Sequence, residues 1–267
     1  NSYTEAYLWT VAAYDGLVNY FYKSGDKIKF SMESLTMQLL NTPEDVRARK
    51  ESILTSYNSI TPRAIVLLGN SAFILFREEL ENRWRNIPTI LCADNDNISS
   101  IEACISKKEI DPDKEEPLSE AAKGLNLTVV RCPLHVEKTV ETMKHLLPEM
   151  KHLALISDRR YVSAQVRHEV GEIMARQFPD IKVSYLTNHP LKLDELLDTL
   201  CVYDKTTGIL YYSWIQEQTQ LGNRYMQANN YKMMVGMTSN PIFSLQDVDV
   251  QSGNIAGGHF YYSKDMG

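Results

Sequence analysis

Five short apolar runs punctuate this chain, and each ends abruptly in polar residues. Residues 64–68 run into Gly69-Asn70-Ser71, and residues 89–92 into Ala93-Asp94-Asn95. Residues 153–156 run into Ser157-Asp158-Arg159-Arg160-Tyr161, 208–212 into Ser213-Trp214, and 233–237 into Thr238-Ser239-Asn240. Runs this short and this apolar do not alternate between a dry and a wet face. They read as strands buried on both sides, which means a parallel sheet covered by helices. Ligands of such sheets bind just beyond the carboxyl ends of the strands. The polar residues that close each run are therefore the first candidates for a binding site.

The segments between the runs carry helix signals. Residues 7–22 are amphipathic, with Leu8, Val11, Ala12, Leu17, Val18 and Phe21 near helical spacing. Residues 28–35 alternate loosely and predict a strand. Thr42-Pro43-Glu44-Asp45 is a helix start, with a Thr cap, Pro in the first turn and two acids after it. That helix should reach about Tyr57. A helix over 71–84 follows the first apolar run, and residues 95–117 form a polar excursion with one short helix near 98–105. Residues 127–132 read as a strand and 136–147 as a helix. The rhythm then restarts at His152: helix 163–178, strand 182–186, helix 191–201, strand 208–212, helix 217–229 and strand 232–237. This gives two α/β units in tandem that meet near 131–135. The first lobe is expected over 1–132, completed by about 244–267 after the chain returns, and the second over 133–243. No internal repeat is visible beyond the shared strand–helix rhythm.

Composition removes several function classes. The net charge of -6 argues against a nucleic-acid partner, because phosphate binding needs a basic surface. No run of 18 apolar residues exists to span a membrane. No signal peptide is visible, and the opening at Asn1-Ser2-Tyr3 leaves room for leader and anchor outside this stretch. Cys92, Cys104, Cys132 and Cys201 are widely spaced and form no metal-ligand pattern. A Cys92–Cys104 disulfide is compatible with the spacing, but nothing else argues for it. The six histidines include no HExxH or similar pair, and no GxSxG, GxGxxG or Walker loop occurs. No catalytic set, metal or cofactor is expected.

The order of these segments resembles the periplasmic-binding-protein type I fold: α/β, with two Rossmann-like lobes, each a mainly parallel sheet flanked by helices, around a ligand cleft. More narrowly, it resembles the extracytoplasmic sensor domains of bacterial two-component sensor histidine kinases related to ABC-transporter substrate-binding proteins. Asn1-Ser2-Tyr3-Thr4-Glu5 with Trp9 is similar to the loop after that family's first strand, a strand absent here. Gly69-Asn70-Ser71-Ala72, Ile87-Pro88-Thr89-Ile90, and Leu147-Pro148 followed by residues 152–158 match further family segments in order. Pro241-Ile242-Phe243, Asp247, Gly253 and Ile255-Ala256-Gly257-Gly258 resemble its return across the hinge. The turn at Gly69-Asn70-Ser71 lacks the acids often found there, and residues 215–222 lack the commoner Asp–Gly pair. The resemblance implies ligand sensing in the periplasm, with a membrane segment and a kinase region outside this fragment. Closure of the lobes would move the chain ends relative to each other and to a neighbouring subunit, so a homodimer is among the expected partners.

A cleft of this kind needs polar groups to orient a ligand and aromatic surface to cover it. Ser2, Tyr3, Asn70, Ser71, Asp94 and Asn95 are expected to line the first lobe, and Asp158, Arg160, Tyr161, Trp214 and Thr238 the second. For Asn70 and Ser71 the competing reading is plain helix capping. For Asp158 and Arg160 it is an exposed ion pair on a loop, and for Trp214 a place in the core. Arg160 with the nearby aromatics suits an amino acid or small organic acid. A solute-binding protein of an ABC-type transporter would use the same fold and site. An α/β enzyme would need an acid/base or nucleophile pair that the sequence does not offer.

Overall fold

The computed structural model describes residues 8–25, 27–37, 40–106, 111, 114–188, 191–218, 222–225, 228–250 and 253–266, excepting the side chains of 8–9, 215–218, 222–225, 228–231 and 266. Ser2, Tyr3 and the side chain of Trp9 lie outside the described residues. Helix α1 (Leu8–Ser24) is followed by a segment over 27–36 that belongs to no helix or strand and by α2 (Pro43–Ser56). The start of α2 is a closed capping box. Thr42 Oγ1 accepts from the Asp45 amide at 3.1 Å, and Asp45 Oδ2 accepts from the Thr42 amide at 3.0 Å.

The first sheet is built from β1 (Ile65–Leu68), α3 (Asn70–Glu81) and β2 (Thr89–Ala93). The polar excursion follows as β3 (Asn97–Ile98), α4 (Ile101–Ser106), β4 (Glu116–Pro117) and α5 (Leu118–Ala121). Strand β5 (Leu127–Arg131) closes the unit. The sheet order is β1-β2-β5, all parallel, with Leu67 beside Leu91 and Leu91 beside Val129. Leu67 and Leu91 point into a core shared with Phe73, Leu75, Phe76 and Leu80 of α3. Alternation turns Val66, Ile90 and Val130 the other way, and these three stay partly exposed. Burial on both faces therefore holds only in part for this sheet.

The second unit runs α6 (Val136–Leu146), β6 (His152–Ser157), α7 (Tyr161–Gln177), β7 (Lys182–Thr187), α8 (Leu193–Cys201) and β8 (Thr207–Tyr211). After it come β9 (Ile215–Gln218), β10 (Gly222–Tyr225), α9 (Ala228–Met237), β11 (Ile242–Ser244), α10 (Asp247–Val250) and α11 (Ser263–Met266). Its parallel sheet has the order β11-β8-β6-β7. Here both faces are covered. Leu153, Leu155, Leu210 and Tyr212 pack with α6 and α7, while Ala154, Ile156, Ile209 and Tyr211 pack with α8. The tail returns past β11, where the Ser244 amide donates to Gly257 O at 2.9 Å, and α11 packs on α1.

Three elements differ from expectation. Residues 28–35 pair with no described strand. The segment expected as helix 217–229 begins instead as the antiparallel β9–β10 hairpin. Residues 232–237 are the end of helix α9, not a strand, and the edge strand of the second sheet is β11. The reason is burial on one side only. Met234 is 0% exposed while its neighbours Met233 and Val235 are 48% and 40% exposed, and methionine is a good helix former. Pro241 then bars helix at Asn240 and lets the chain re-enter as strand.

Met234→Ala should therefore cost about 2–5 kcal/mol in urea unfolding, as for a buried side chain. Val235→Ala should stay within about 0.5 kcal/mol. Equal, large losses at both positions would restore the buried-strand assignment.

Candidate functional site

A cavity of about 1500 Å³ opens beyond the carboxyl ends of β1 and β2 and runs along the uncovered face of the first sheet. Gly69, Ser71, Asp94, Cys104 and Cys132 line it from the first unit, and Arg160, Tyr161 and Tyr212 from the second. Its far part lies between α1, the 27–37 segment and the sheet face at Val66, Ile90 and Val130.

The turn out of β1 is fixed by Gly69, whose φ of 88° favours glycine. A Cβ there would stand 3.0 Å from Asp94 Oδ2. This close approach lets the Asn70 amide donate to Asp94 Oδ1 at 3.1 Å, so Asp94 caps the first turn of α3 from across the sheet. The Asn70 side chain completes the joint. Its Nδ2 donates to Asn95 O and Asn97 O at 2.8 and 3.0 Å, and its Oδ1 accepts from the Asp94 amide at 3.2 Å. Asn70 is thus a brace for the loop after β2 and does not line the cavity, a correction to its expected ligand contact. Asn95 Oδ1 accepts from the Asn97 amide at 2.9 Å and shapes the same loop. Ser71 and Asp94 do line the cavity. Burial pushes the Asp94 carboxyl above the usual carboxylate range, against the hydrogen bond from Asn70 and the nearby Arg160.

Asp158 is 1% exposed and accepts from four groups. These are the Arg160 amide at 2.9 Å, Arg160 Nε at 3.1 and 3.0 Å to its two oxygens, Ser163 Oγ at 2.7 Å and Ser213 Oγ at 2.7 Å. Arg160 Nη2 also donates to Ser213 Oγ at 2.6 Å. Arg167 Nη1 donates to Asp158 O at 2.6 Å and to Ser157 Oγ at 3.0 Å. Burial alone would raise the Asp158 carboxyl, but the Arg160 guanidinium and the two serine hydroxyls outweigh it and hold it below the usual range. Asp158 is therefore a buried structural hub, neither the expected ligand contact nor an exposed loop pair, and it does not line the cavity. Arg160 does, with 15% of its side chain exposed.

Tyr161 lines the cavity and spends its hydroxyl across the gap between the units, donating to Glu115 Oε1 at 2.6 Å. Burial, with the Glu115 carboxylate, keeps that phenol protonated. Gln165 Nε2 lies within 3.0 Å of Asn97 O, 3.3 Å of Glu115 Oε2 and 2.9 Å of the Tyr161 hydroxyl. Two residues of α7 thus hold the excursion of the first unit.

Trp214 is 1% exposed among Ile156, Leu196, Leu200 and Ile209, and its indole N–H has no described partner. It does not line the cavity, so the core reading replaces the ligand reading. Thr238 is displaced for a different reason. The sequence pattern places it at a strand end, but it follows a helix, and its Oγ1 accepts from the Asn240 amide at 3.1 Å. The true strand end leads to Leu245, Gln246 and Asp247, which do line the cavity and were missed. Cys92, Cys104 and Cys132 were also missed as lining residues. They are free thiols, with no Cys92–Cys104 disulfide. Burial raises Cys92 and pushes Cys104 and Cys132 up to about 12, so all three are neutral. Among the described residues, no cluster of His, Cys, Asp or Glu could hold a metal ion, and no helix is long and apolar enough to cross a membrane.

No family model and no curated protein matches this chain. Solved structures do. A conserved domain protein from Vibrio cholerae matches with a TM-score of 0.59 at 16% identity, covering 98% of this chain and 78% of that one. An ABC domain in complex with L-Trp from Streptococcus pneumonia matches with a TM-score of 0.55 at 14% identity, with the same coverages. At these identities the likeness establishes architecture. The chain has the two-lobed α/β fold of the periplasmic-binding-protein type I class, each lobe a parallel sheet flanked by helices.

Asp158→Ala should destabilise the fold by about 3–5 kcal/mol in urea unfolding, because it strands a buried guanidinium. Asp94→Asn should raise the melting temperature near neutral pH, since it removes a charge whose folded pKa is raised. That gain should shrink as the pH falls through the raised value, because wild-type Asp94 then protonates in the folded state. The Asp158 contribution should persist until the pH falls below the usual carboxylate range, through its lowered value.

Proposed function

We propose that this chain is a non-catalytic, extracytoplasmic ligand-sensing domain that binds a small molecule between its lobes and signals by closing on it. The observation that carries this reading is the position of the cross-lobe bonds. Tyr161 lines the cavity and gives its hydroxyl to Glu115 of the opposite lobe. A ligand packed against Tyr161, with Ser71, Asp94 and Arg160 around it, favours the arrangement in which the Tyr161–Glu115 and Gln165–Asn97 bonds form. Differential affinity for the closed state is what shifts such an equilibrium.

The lobes proposed are 1–132 with the return over 244–267, and 133–243. Support comes from the position of Cys132, Pro133 and Leu134 along the cavity and from the packing of α11 on α1. Closure would then be read by a membrane segment and kinase region beyond this stretch, in a homodimer, as the output of a two-component sensor in the periplasm. A second reading, a solute-binding protein serving an ABC-type transporter, draws on the fold shared with an ABC domain in complex with L-Trp. Both readings require the same binding step, and the remainder of the gene separates them.

A thermal-shift screen of amino acids, amines, organic acids, sugars and nucleosides should find a ligand that raises the melting temperature. At 100 times its Kd such a ligand adds about 2.7 kcal/mol of stability. Tyr161→Phe should weaken that ligand and enlarge the radius of gyration measured by small-angle X-ray scattering. A complete absence of shifts across the screen would remove the binding reading.

A further inference from the structure

We infer that the interlobe site is built for a ligand bearing an amine, anchored on Asp94, and that it discriminates against simple carboxylates. The inference rests on the binding reading above and assigns the chemical class of its ligand. An anion needs an uncommitted cation or an unsatisfied helix N-terminus. Two helix termini reach the site, and each already holds a carboxylate: Asp94 caps the Asn70 amide of α3, and the buried Asp158 accepts from the Arg160 amide and Ser163 Oγ at the start of α7. The cation at the site, Arg160, directs Nε to both oxygens of Asp158 and Nη2 to Ser213. The other cations lining the cavity are Lys27, Lys29 and Arg63. Lys27 and Lys29 belong to the segment packed toward α1. Arg63 precedes β1, roughly 20 Å along the strand direction from Gly69.

What remains for a ligand is acceptor surface. Asp94 uses Oδ1 on the Asn70 amide and is itself a lining residue of the cavity. Glu115 holds a carboxylate on the Tyr161 hydroxyl, while Arg160 and Arg167 both donate to Asp158. The three lining thiols are neutral and shift this balance in neither direction. Tyr161 and Tyr212 also line the cavity, and aromatic residues accommodate a cation. An ammonium donating to Asp94 makes a charge-assisted bond in a water-poor place and offsets the cost of burying that carboxylate. A ligand carboxylate in the same position would set two like charges side by side.

The test uses matched trios on one carbon skeleton, measured by thermal shift and then by calorimetry. Suitable trios are tryptamine, L-tryptophan and indole-3-propionate; phenethylamine, L-phenylalanine and 3-phenylpropionate; and isoamylamine, L-leucine and 4-methylpentanoate. They are run within a broad metabolite library, on wild type and on Asp94→Asn, with Asp94→Ser as the second variant if the first does not fold. The expected result is that compounds with an amine bind, the acids without one do not, and loss of the Asp94 charge weakens binding about 10- to 100-fold. Binding of the acids at equal or greater strength, unaffected by Asp94→Asn, would overturn the inference while leaving the binding reading intact. No binding by any member of the library would overturn both.

Discussion

A single buried carboxylate organises the second lobe's side of the cleft. Asp158 sits at the end of β6, where removing a charge from water costs several kcal/mol unless donors replace the lost hydration. They come from three directions: Arg160 at the start of α7, Ser163 in the first turn of that helix, and Ser213 beyond the end of β8. Satisfying Asp158 therefore welds two strand ends to one helix start. It also fixes what Arg160 can do, because the guanidinium is drawn back onto Asp158.

The first lobe solves a similar problem with an amide. Asn70 ties α3 to the loop after β2 through bonds in both directions, and Asp94 caps α3 in return. The two lobes thus present rigid strand ends to a common space, with Asp94 and Arg160 facing it and their supports hidden behind. Across that space the Tyr161 and Gln165 bonds to Glu115 and Asn97 make the lobes' separation a property of a few side chains. That is the kind of junction a bound molecule can bias.

Much of this was legible in the sequence, for a reason that also explains the failures. Apolar runs ending in polar residues located β1, β2, β6 and β8, and so brought Ser71, Asp94, Arg160 and Tyr161 to one cavity. The run at 233–237 has the same composition, but short apolar runs do not distinguish a buried strand from a one-sided helix. That error carried Thr238 into the site and left out Gln246 and Asp247. The partner choices of Asn70, Asp158 and Trp214 were beyond reach in a different way. Ser213 meets Asp158 across 55 residues of chain, and no local pattern says that a strand-end carboxylate will be consumed by its own lobe rather than offered to a ligand. The spacing of Cys92, Cys104 and Cys132 did not mark them as cavity residues, because a thiol against a cavity and a thiol in a core look alike in sequence.

The most direct test of closure is the distance between the lobes. Spin labels introduced through unnatural amino acids at the exposed Lys123 and Lys205 would report it by double electron–electron resonance. A broad distribution without ligand should collapse, on saturation with a compound that raises the melting temperature, onto the separation seen in this structure. An unchanged distribution under saturating ligand would contradict the account.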